Sequence, residues 1–261
     1  MSETGVINPT PWGEAEIRGP VHLHRERLVL RAFTALLQEG RILDAGCGGG
    51  SLALGLCKAG YRVDAMEQSL EFVQLVQHKL SRFGSESRMT VQQGSITELP
   101  FENGSFDGAV CGEVLEHIQA EQGGDQAAVQ ELRRVLRVDA PCVVSVPLNP
   151  DLWDESDVWA GHVKRYEREQ LVELFAGNGF SVLDTHIWGF PLGRIYHRVL
   201  FAPWIRRTAS MDAASREMRA DTRAASSRRL VGLVAGAFRL DELFARRPWG
   251  RGIILSTRRS S

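Results

Sequence analysis

The stretch Arg41 to Ser51, RILDAGCGGGS, constrains this chain more than any other. An apolar entry, Ile42 and Leu43, ends in Asp44 and breaks into Gly46, Gly48, Gly49 and Gly50 before a second apolar run, Leu52 to Leu56. The pattern predicts strand, tight turn, helix. Glycine at such a turn permits positive φ and leaves no Cβ between backbone and ligand, while the helix that follows offers unpaired N–H groups to an anionic group. Counted from Gly46, the dinucleotide pattern G-x-G-x-x-G puts Ser51 where its third glycine or alanine belongs. The spacing D-x-G-x-G-x-G, from Asp44 through Gly46, Gly48 and Gly50, fits better. A ligand-free strand-to-helix turn has the same local signature, so the loop needs support from the rest of the chain.

That support is an alternation of helical and strand-like segments. Residues 1–20 form an irregular lead-in that Trp12 is expected to pin, and Val21 to Gln38 has helical spacing stopped by Gly40. His22, His24 and Arg25, near the start of that helix, could reach a bound ligand, but a solvated helix end is the expectation. After the glycine loop, Tyr61 to Met66 reads as a second strand ending at Glu67, and Ser69 as the cap of a helix reaching about Arg82. Arg88 to Gln93 and Phe106 to Cys111 read as strands three and four, and Asp125 as the cap of a helix to about Arg137. Pro141 to Val146 reads as strand five, Tyr166 to Ala176 as a helix closed by Gly177 and Gly179, and Phe180 to Trp188 and Gly252 to Arg258 as the last two strands. This is the doubly wound α/β pattern. At 261 residues it suits a single domain: a lead-in and helix over 1–38, a core over 41–188 and 252–258, and a helical insertion over 189–251.

The charge is uneven. Of 31 Lys+Arg and 32 Asp+Glu, 15 and 5 lie from Arg194 onward, which leaves 16 against 27 before it. A basic C-terminal quarter suits an anionic lipid, an anionic substrate or nucleic acid, or is simply a solvated arginine-rich face. No apolar run reaches the length of a membrane span and no signal-peptide core is visible, so a cytoplasmic setting is expected. Cys47, Cys57, Cys111 and Cys142 lie in or beside apolar segments without C-x-x-C spacing, so reduced buried thiols are expected and no metal.

With the glycine loop, Glu67 and the LPFENGSFD segment in place, the chain resembles the class I S-adenosylmethionine-dependent methyltransferases, most of all the small-molecule branch with its quinone-pathway and natural-product enzymes. The resemblance covers roughly Arg41 to Trp188 and the final strand. It implies a Rossmann-like seven-stranded sheet with an antiparallel last strand, and S-adenosyl-L-methionine as cofactor. For the loop residues Asp44, Gly46, Cys47, Gly48 and Gly50 it implies contact with the methionine moiety. Glu67, with Gln68 beside it, is placed for a carboxylate to accept from both ribose hydroxyls. Relatives commonly carry Gly-Asp before the LPF segment; here Gly94-Ser95-Ile96 stands there, leaving Ser95 a hydroxyl acceptor for the adenine amino group and Ile96 a surface for the ring. Cys111, Gly112 and Glu113 are expected to border the methionine end.

Methyl transfer is an in-line displacement in which alignment carries much of the catalysis and a hydroxyl acceptor must lose its proton. His162, in GHVKRY, is the candidate base or substrate contact, with helix docking as its rival role; His117, in EVLEHI, is a structural or pocket-lining candidate with the base role as its rival, and Tyr166 a further pocket candidate. The expected reaction is methylation of a small apolar or aromatic metabolite at oxygen, with nitrogen, carbon and nucleic-acid acceptors as alternatives. The segment Cys111-Gly112-Glu113-Val114 lacks an N-P-P-Y type motif, which argues against nucleic acid. A regulator that binds the cofactor without catalysis is the remaining class. The insertion is expected to form a lid over the acceptor, its arginines admitting peripheral contact with an anionic membrane. Oligomeric state is left open.

Overall fold

The computed structural model describes residues 19–83, 88–208 and 228–261. The lead-in before residue 19, Trp12 included, lies outside them. In chain order the elements are α1 (Pro20–Thr34), β1 (Arg41–Ala45), α2 (Ser51–Lys58), β2 (Arg62–Glu67), α3 (Leu70–Phe83), β3 (Met89–Gln93), β4 (Gly108–Gly112), α4 (Gly124–Val135), β5 (Pro141–Pro147), α5 (Glu155–Ala160), α6 (Arg168–Gly177) and β6 (Phe180–Trp188). There follow α7 (Leu192–Tyr196), α8 (Ala202–Thr208), α9 (Arg228–Ala237) and β7 (Gly252–Arg259).

The strands form one 7-stranded sheet in the order β3-β2-β1-β4-β5-β7-β6. All neighbours pair parallel except β7, which is antiparallel to both β5 and β6. Side chains alternate across a strand, so Ile42 joins one core layer with Leu28, Phe33, Leu52 and Leu56 while Leu43 joins the other with Phe106, Leu132 and Phe175. Both are fully buried, and each contributes about 1.5–3 kcal/mol of apolar burial. β5 is buried along its whole length, as its unbroken apolar run requires of a strand covered on both faces. From β1 the chain crosses to β2 on one side, whereas β4 lies on the other. The connections after β1 and β4 therefore part, and a crevice opens at the carboxyl ends of those strands.

Several boundaries differ from the sequence reading, each for a local reason. α1 stops at Thr34, short of Gln38. β4 begins at Gly108, because Phe106 makes only a single bridge, to Leu136. Asp125 does not cap α4: the helix starts on Gly123 in the left-handed conformation, and the Asp125 carboxylate turns to Lys164 and Tyr166. Tyr166 precedes α6 and bridges Leu148. His24 is not at a solvated end; it is 3% exposed, edge-on to Trp188 and Phe238, and burial lowers its pKa to about 4.

Between β6 and β7 the described residues are helical. α7 continues through a wide π-type turn, His197–Phe201, into α8, which packs on α5, while α9 packs on α1. The buried carboxylate of Asp241 accepts from the backbone N–H groups of Leu192 and Gly193, both at 2.9 Å, and Ile205 is buried. These helices are thus fastened at the carboxyl edge of the sheet. Among the described residues no helix is long and apolar enough to cross a membrane.

Candidate active site

Gly46, Gly48 and Gly50 all have positive φ (81°, 50° and 78°), but they differ in what a side chain would meet. A Cβ on Gly46 would collide with Val114, and one on Gly50 would lie 2.8 Å from Val76. A Cβ on Gly48 meets nothing within 4 Å. Two of the glycines thus allow close packing, and the middle one leaves the crevice open. The loop is fixed from both ends: Gly46 and Cys47 N–H groups donate to the Met66 carbonyl at 2.8 and 2.9 Å, and Lys79 donates to the Gly49 carbonyl at 3.0 Å.

Glu67, at the tip of β2, accepts from the Gly48 N–H at 2.9 Å through Oε2 and from the Ser69 N–H at 3.0 Å through Oε1. A carboxylate has about four acceptor positions, so these two bonds orient Glu67 and leave capacity for two hydroxyls. Asp44 lies behind the loop, 1% exposed, and its Oδ2 has no hydrogen-bond partner. Burial first, then the negative charges of Glu26 and Glu67, raise its pKa to about 7 against the opposing Ala53 N–H. α1 closes this end. Glu26 meets Ser51 at the start of α2, His22 lies 2.9 Å from Glu26, and Arg25 pairs with Glu113 at 3.2 Å. An orphaned buried carboxylate, two further carboxylates and an open glycine form a cradle that fits a cationic ligand carrying vicinal hydroxyls. Both the ammonium and the ribose of S-adenosylmethionine match it.

At the other end, β4 leads to Glu113, whose φ of 58° is unusual for a side-chain-bearing residue. Its carboxylate accepts from Ser145 Oγ at 3.1 Å. A single turn, Leu115–His117, follows. His117 Nδ1 lies 3.1 Å from the Gly161 carbonyl, and its ring meets that of His162 edge-on at 5.0 Å. His162 Nδ1 lies 2.8 Å from Asp157 Oδ1. Burial works to raise the Asp157 pKa, but hydrogen bonds from His162 and Arg165 outweigh it and hold the group at about 2. Burial and the neighbouring His162 lower the pKa of His117.

The crevice therefore gathers Asp44, Gly46, Cys47, Gly48, Gly50 and Glu67 at one end and Glu113, His117 and His162 at the other. Gln68 is exposed beside Glu67, its carbonyl accepting from Gln93. Ser95 joins this edge through the Gly94 N–H, which donates to the Glu67 carbonyl at 3.0 Å, and the Ser95 hydroxyl pairs with Thr97 at 2.8 Å. Three assignments need correction at the side-chain level. Cys111 is wholly buried in the core, and burial pushes its thiol far up, so only its backbone can border the crevice. Ile96 packs into the same core, 8% exposed. Tyr166 is 2% exposed and donates to Asp125 at 2.8 Å, its pKa raised by burial and by that carboxylate, so it serves as a docking group and neither base nor pocket wall. Arg25, expected at a solvated helix end, instead pairs with Glu113. Sequence reasoning missed Glu26, Glu116 and Asp157. Glu116 lies within EVLEHI beside the histidine that drew attention, whereas Glu26 carries no local signal.

Residues 43–144 match the family described as "Methyltransferase domain". A ubiquinone biosynthesis O-methyltransferase of Xanthomonas campestris pv. campestris is 34% identical over 110 residues, covering 41% of this chain and 45% of that protein. A chloroplastic 2-methyl-6-phytyl-1,4-hydroquinone methyltransferase of Oryza sativa subsp. japonica is 27% identical over 185 residues, 67% of this chain and 46% of that protein. The chain thus spans about half the length of these curated relatives. Among solved structures, phosphoethanolamine N-methyltransferase 2 of Haemonchus contortus, in complex with S-adenosyl-L-methionine, superposes with a TM-score of 0.65 at 14% identity, covering 98% of this chain and 56% of that one. Sheet order and crevice define a Rossmann-like methyltransferase fold. Residues 43–144 thus match a methyltransferase domain, and in that core the chain is similar to the class I S-adenosylmethionine-dependent methyltransferases.

Proposed function

We propose that the protein methylates a hydroxyl oxygen of an apolar or aromatic small molecule, of quinol type, in the crevice between the glycine loop and the His117–His162 pair. The observation that carries the reading is the crevice itself, with an oriented carboxylate and an open glycine at one end and two facing imidazoles at the other. S-adenosylmethionine supplies a methyl on a sulfonium that leaves without acid help. Glu67 takes the ribose hydroxyls, Asp44 and Glu26 set negative charge for the ammonium, and Ser95 stands at the adenine edge. Asp157 fixes the ring of His162, which with His117 meets the acceptor hydroxyl. Similarity to an O-methyltransferase supports oxygen as the acceptor atom.

The described helices of the insertion act as the lid over the acceptor, residues 209–227 of it lying outside the described residues, and the enzyme works in the cytoplasm with peripheral membrane contact. The described part of the insertion carries exposed Ile195, Val199, Leu233 and Leu243 among arginines, which supports a lipid-like acceptor. Incubation with labelled S-adenosylmethionine and a lipid extract is expected to yield a product heavier by one methylene. Methylation confined to RNA, or to amines, would refute the reading. Co-sedimentation with anionic vesicles, lost at high salt, is expected for the membrane contact, and indifference to lipid charge would remove it.

A further inference from the structure

We propose that Arg194, backed by Arg251 and Arg165, forms a binding site for an anionic oxygen group, carboxylate or phosphate, carried by the methyl acceptor. Its assignment to the acceptor rests on the methyl-transfer reading; the anion site itself does not.

Three guanidinium groups come together here, from α7, from the residue before β7 and from the segment after α5. Arg165, its side chain 3% exposed, donates through Nε to Asp157 Oδ1 at 2.8 Å and through Nη1 to the Leu148 carbonyl at 3.1 Å. His162 Nδ1 lies 2.8 Å from the same Asp157 oxygen, which places the cluster next to the acceptor end of the crevice. Arg251 Nη2 lies 3.0 Å from His197 Nε2 and 3.6 Å from Asp154 Oδ2. Burial, and then the Arg251 charge, lower the pKa of His197 to about 4, so that ring adds no charge near neutral pH. Asp157 and Asp154 therefore answer two of the three guanidinium charges.

Arg194 is the third. Its Nε is buried without a hydrogen-bond partner, and no carboxylate among the described residues pairs with it. The charges it feels are of its own sign: burial and then Arg165 lower its pKa. Burial and Arg165 also bring Arg251 down to about 10, and Arg194 adds to that effect. A half-buried guanidinium beside like charges is costly until an anion completes it. Its planar fork of donors matches the oxygens of a carboxylate or phosphate two at a time. The guanidinium lies 5.7 Å from the centre of the Phe190 ring, which meets Phe244 and Trp249 edge-on at 5.5 and 5.3 Å. An aromatic face beside an unanswered cation suits an apolar or aromatic body that carries the anion.

The test is binding of benzoate, phenyl phosphate and uncharged benzamide to the full chain at millimolar concentration, followed by saturation-transfer NMR. At least one anion is expected to bind about 10- to 100-fold more tightly than benzamide, the worth of a charged hydrogen bond. Which anion does so tells a carboxylate from a phosphate ester. Arg194→Gln should remove that preference without lowering the melting temperature, because it relieves repulsion and breaks no ion pair. Equal binding of all three probes, an anion preference that survives Arg194→Gln, or a clear fall in its melting temperature would overturn the site. Acetate or inorganic phosphate binding as tightly as the aromatic anions would overturn its assignment to the acceptor. S-adenosylmethionine affinity, measured on the same wild-type samples, reports separately: its absence would overturn the methyl-transfer reading and leave the anion preference standing.

Discussion

Asp44 and Asp157 are both buried at the carboxyl edge of the sheet, at 1% and 0% exposure, yet they stand on opposite sides of the ordinary carboxylate range. Asp44 is surrounded by carboxylates, keeps an unpartnered oxygen and is raised to about 7. Asp157 receives His162, Arg165 and the Asp154 backbone N–H and is held at about 2. Burial is common to both, so the difference lies in partners. At Asp44 a carboxylate oxygen is left without a partner; at Asp157 the network is complete and holds the His162 imidazole still.

The largest expected effect is at the Asp44 end. Gly48→Val should abolish S-adenosylmethionine binding in calorimetry while the chain still folds, because its Cβ meets no protein atom and the left-handed φ costs only about 1–2 kcal/mol. Gly46→Ala, which collides with Val114, should instead lower the melting temperature. A reversal of these two outcomes would break the distinction between packing glycine and open glycine. Next comes pH. Because the folded pKa of Asp44 lies above its unfolded value near 3.8, its contribution is full below that value and fades as pH rises through about 7. The linkage amounts to roughly 4 kcal/mol at most. Urea unfolding between pH 4 and 7 should show this fall in wild type and a flatter profile in Asp44→Asn; equal slopes would remove Asp44 as its source.

The same contrast explains what could be read from sequence. The glycine loop and Glu67 are legible because backbone demands select residue types locally: positive φ at three glycines and an acid at a strand tip. The sheet is legible for a similar reason, since Ile42, Leu43 and the β5 run follow strand period and burial. The pairings at the His117–His162 end are not. Glu116 meets His162, and Arg25 meets Glu113, only through tertiary packing that no spacing announces. Asp125 misled for the same reason: its preference for a helix start is outweighed by the cation and phenol that the fold brings to it. His24 would suit a solvated helix end by residue type, yet Phe238 and Trp188 bury it.

Of intermediate size are the effects at Glu67 and His162. Glu67→Ala should weaken S-adenosylmethionine by roughly 2–4 kcal/mol, since it removes a charged acceptor and frees the Gly48 N–H. Unchanged affinity in calorimetry would take Glu67 out of the cofactor end. His162→Ala should lower turnover about 100-fold at nearly constant cofactor affinity. A loss of cofactor affinity comparable with that at Glu67 would mean that the two ends are not separate.

Tyr166→Phe should have the smallest effect, and it tests whether the completed network is merely a scaffold. The phenol is buried and its proton is committed to Asp125, which Lys164 also contacts. Removing the hydroxyl leaves Asp125 with its cation, so the cost in stability is about 0.5–1.5 kcal/mol, the net worth of one hydrogen bond. Turnover should stay within about threefold of wild type, because a phenol whose pKa is raised by burial and by a carboxylate neither reaches the acceptor nor gives up its proton to it. A fall in turnover near that of His162→Ala, at unchanged melting temperature, would return Tyr166 to the acceptor wall and redraw the boundary between the two ends.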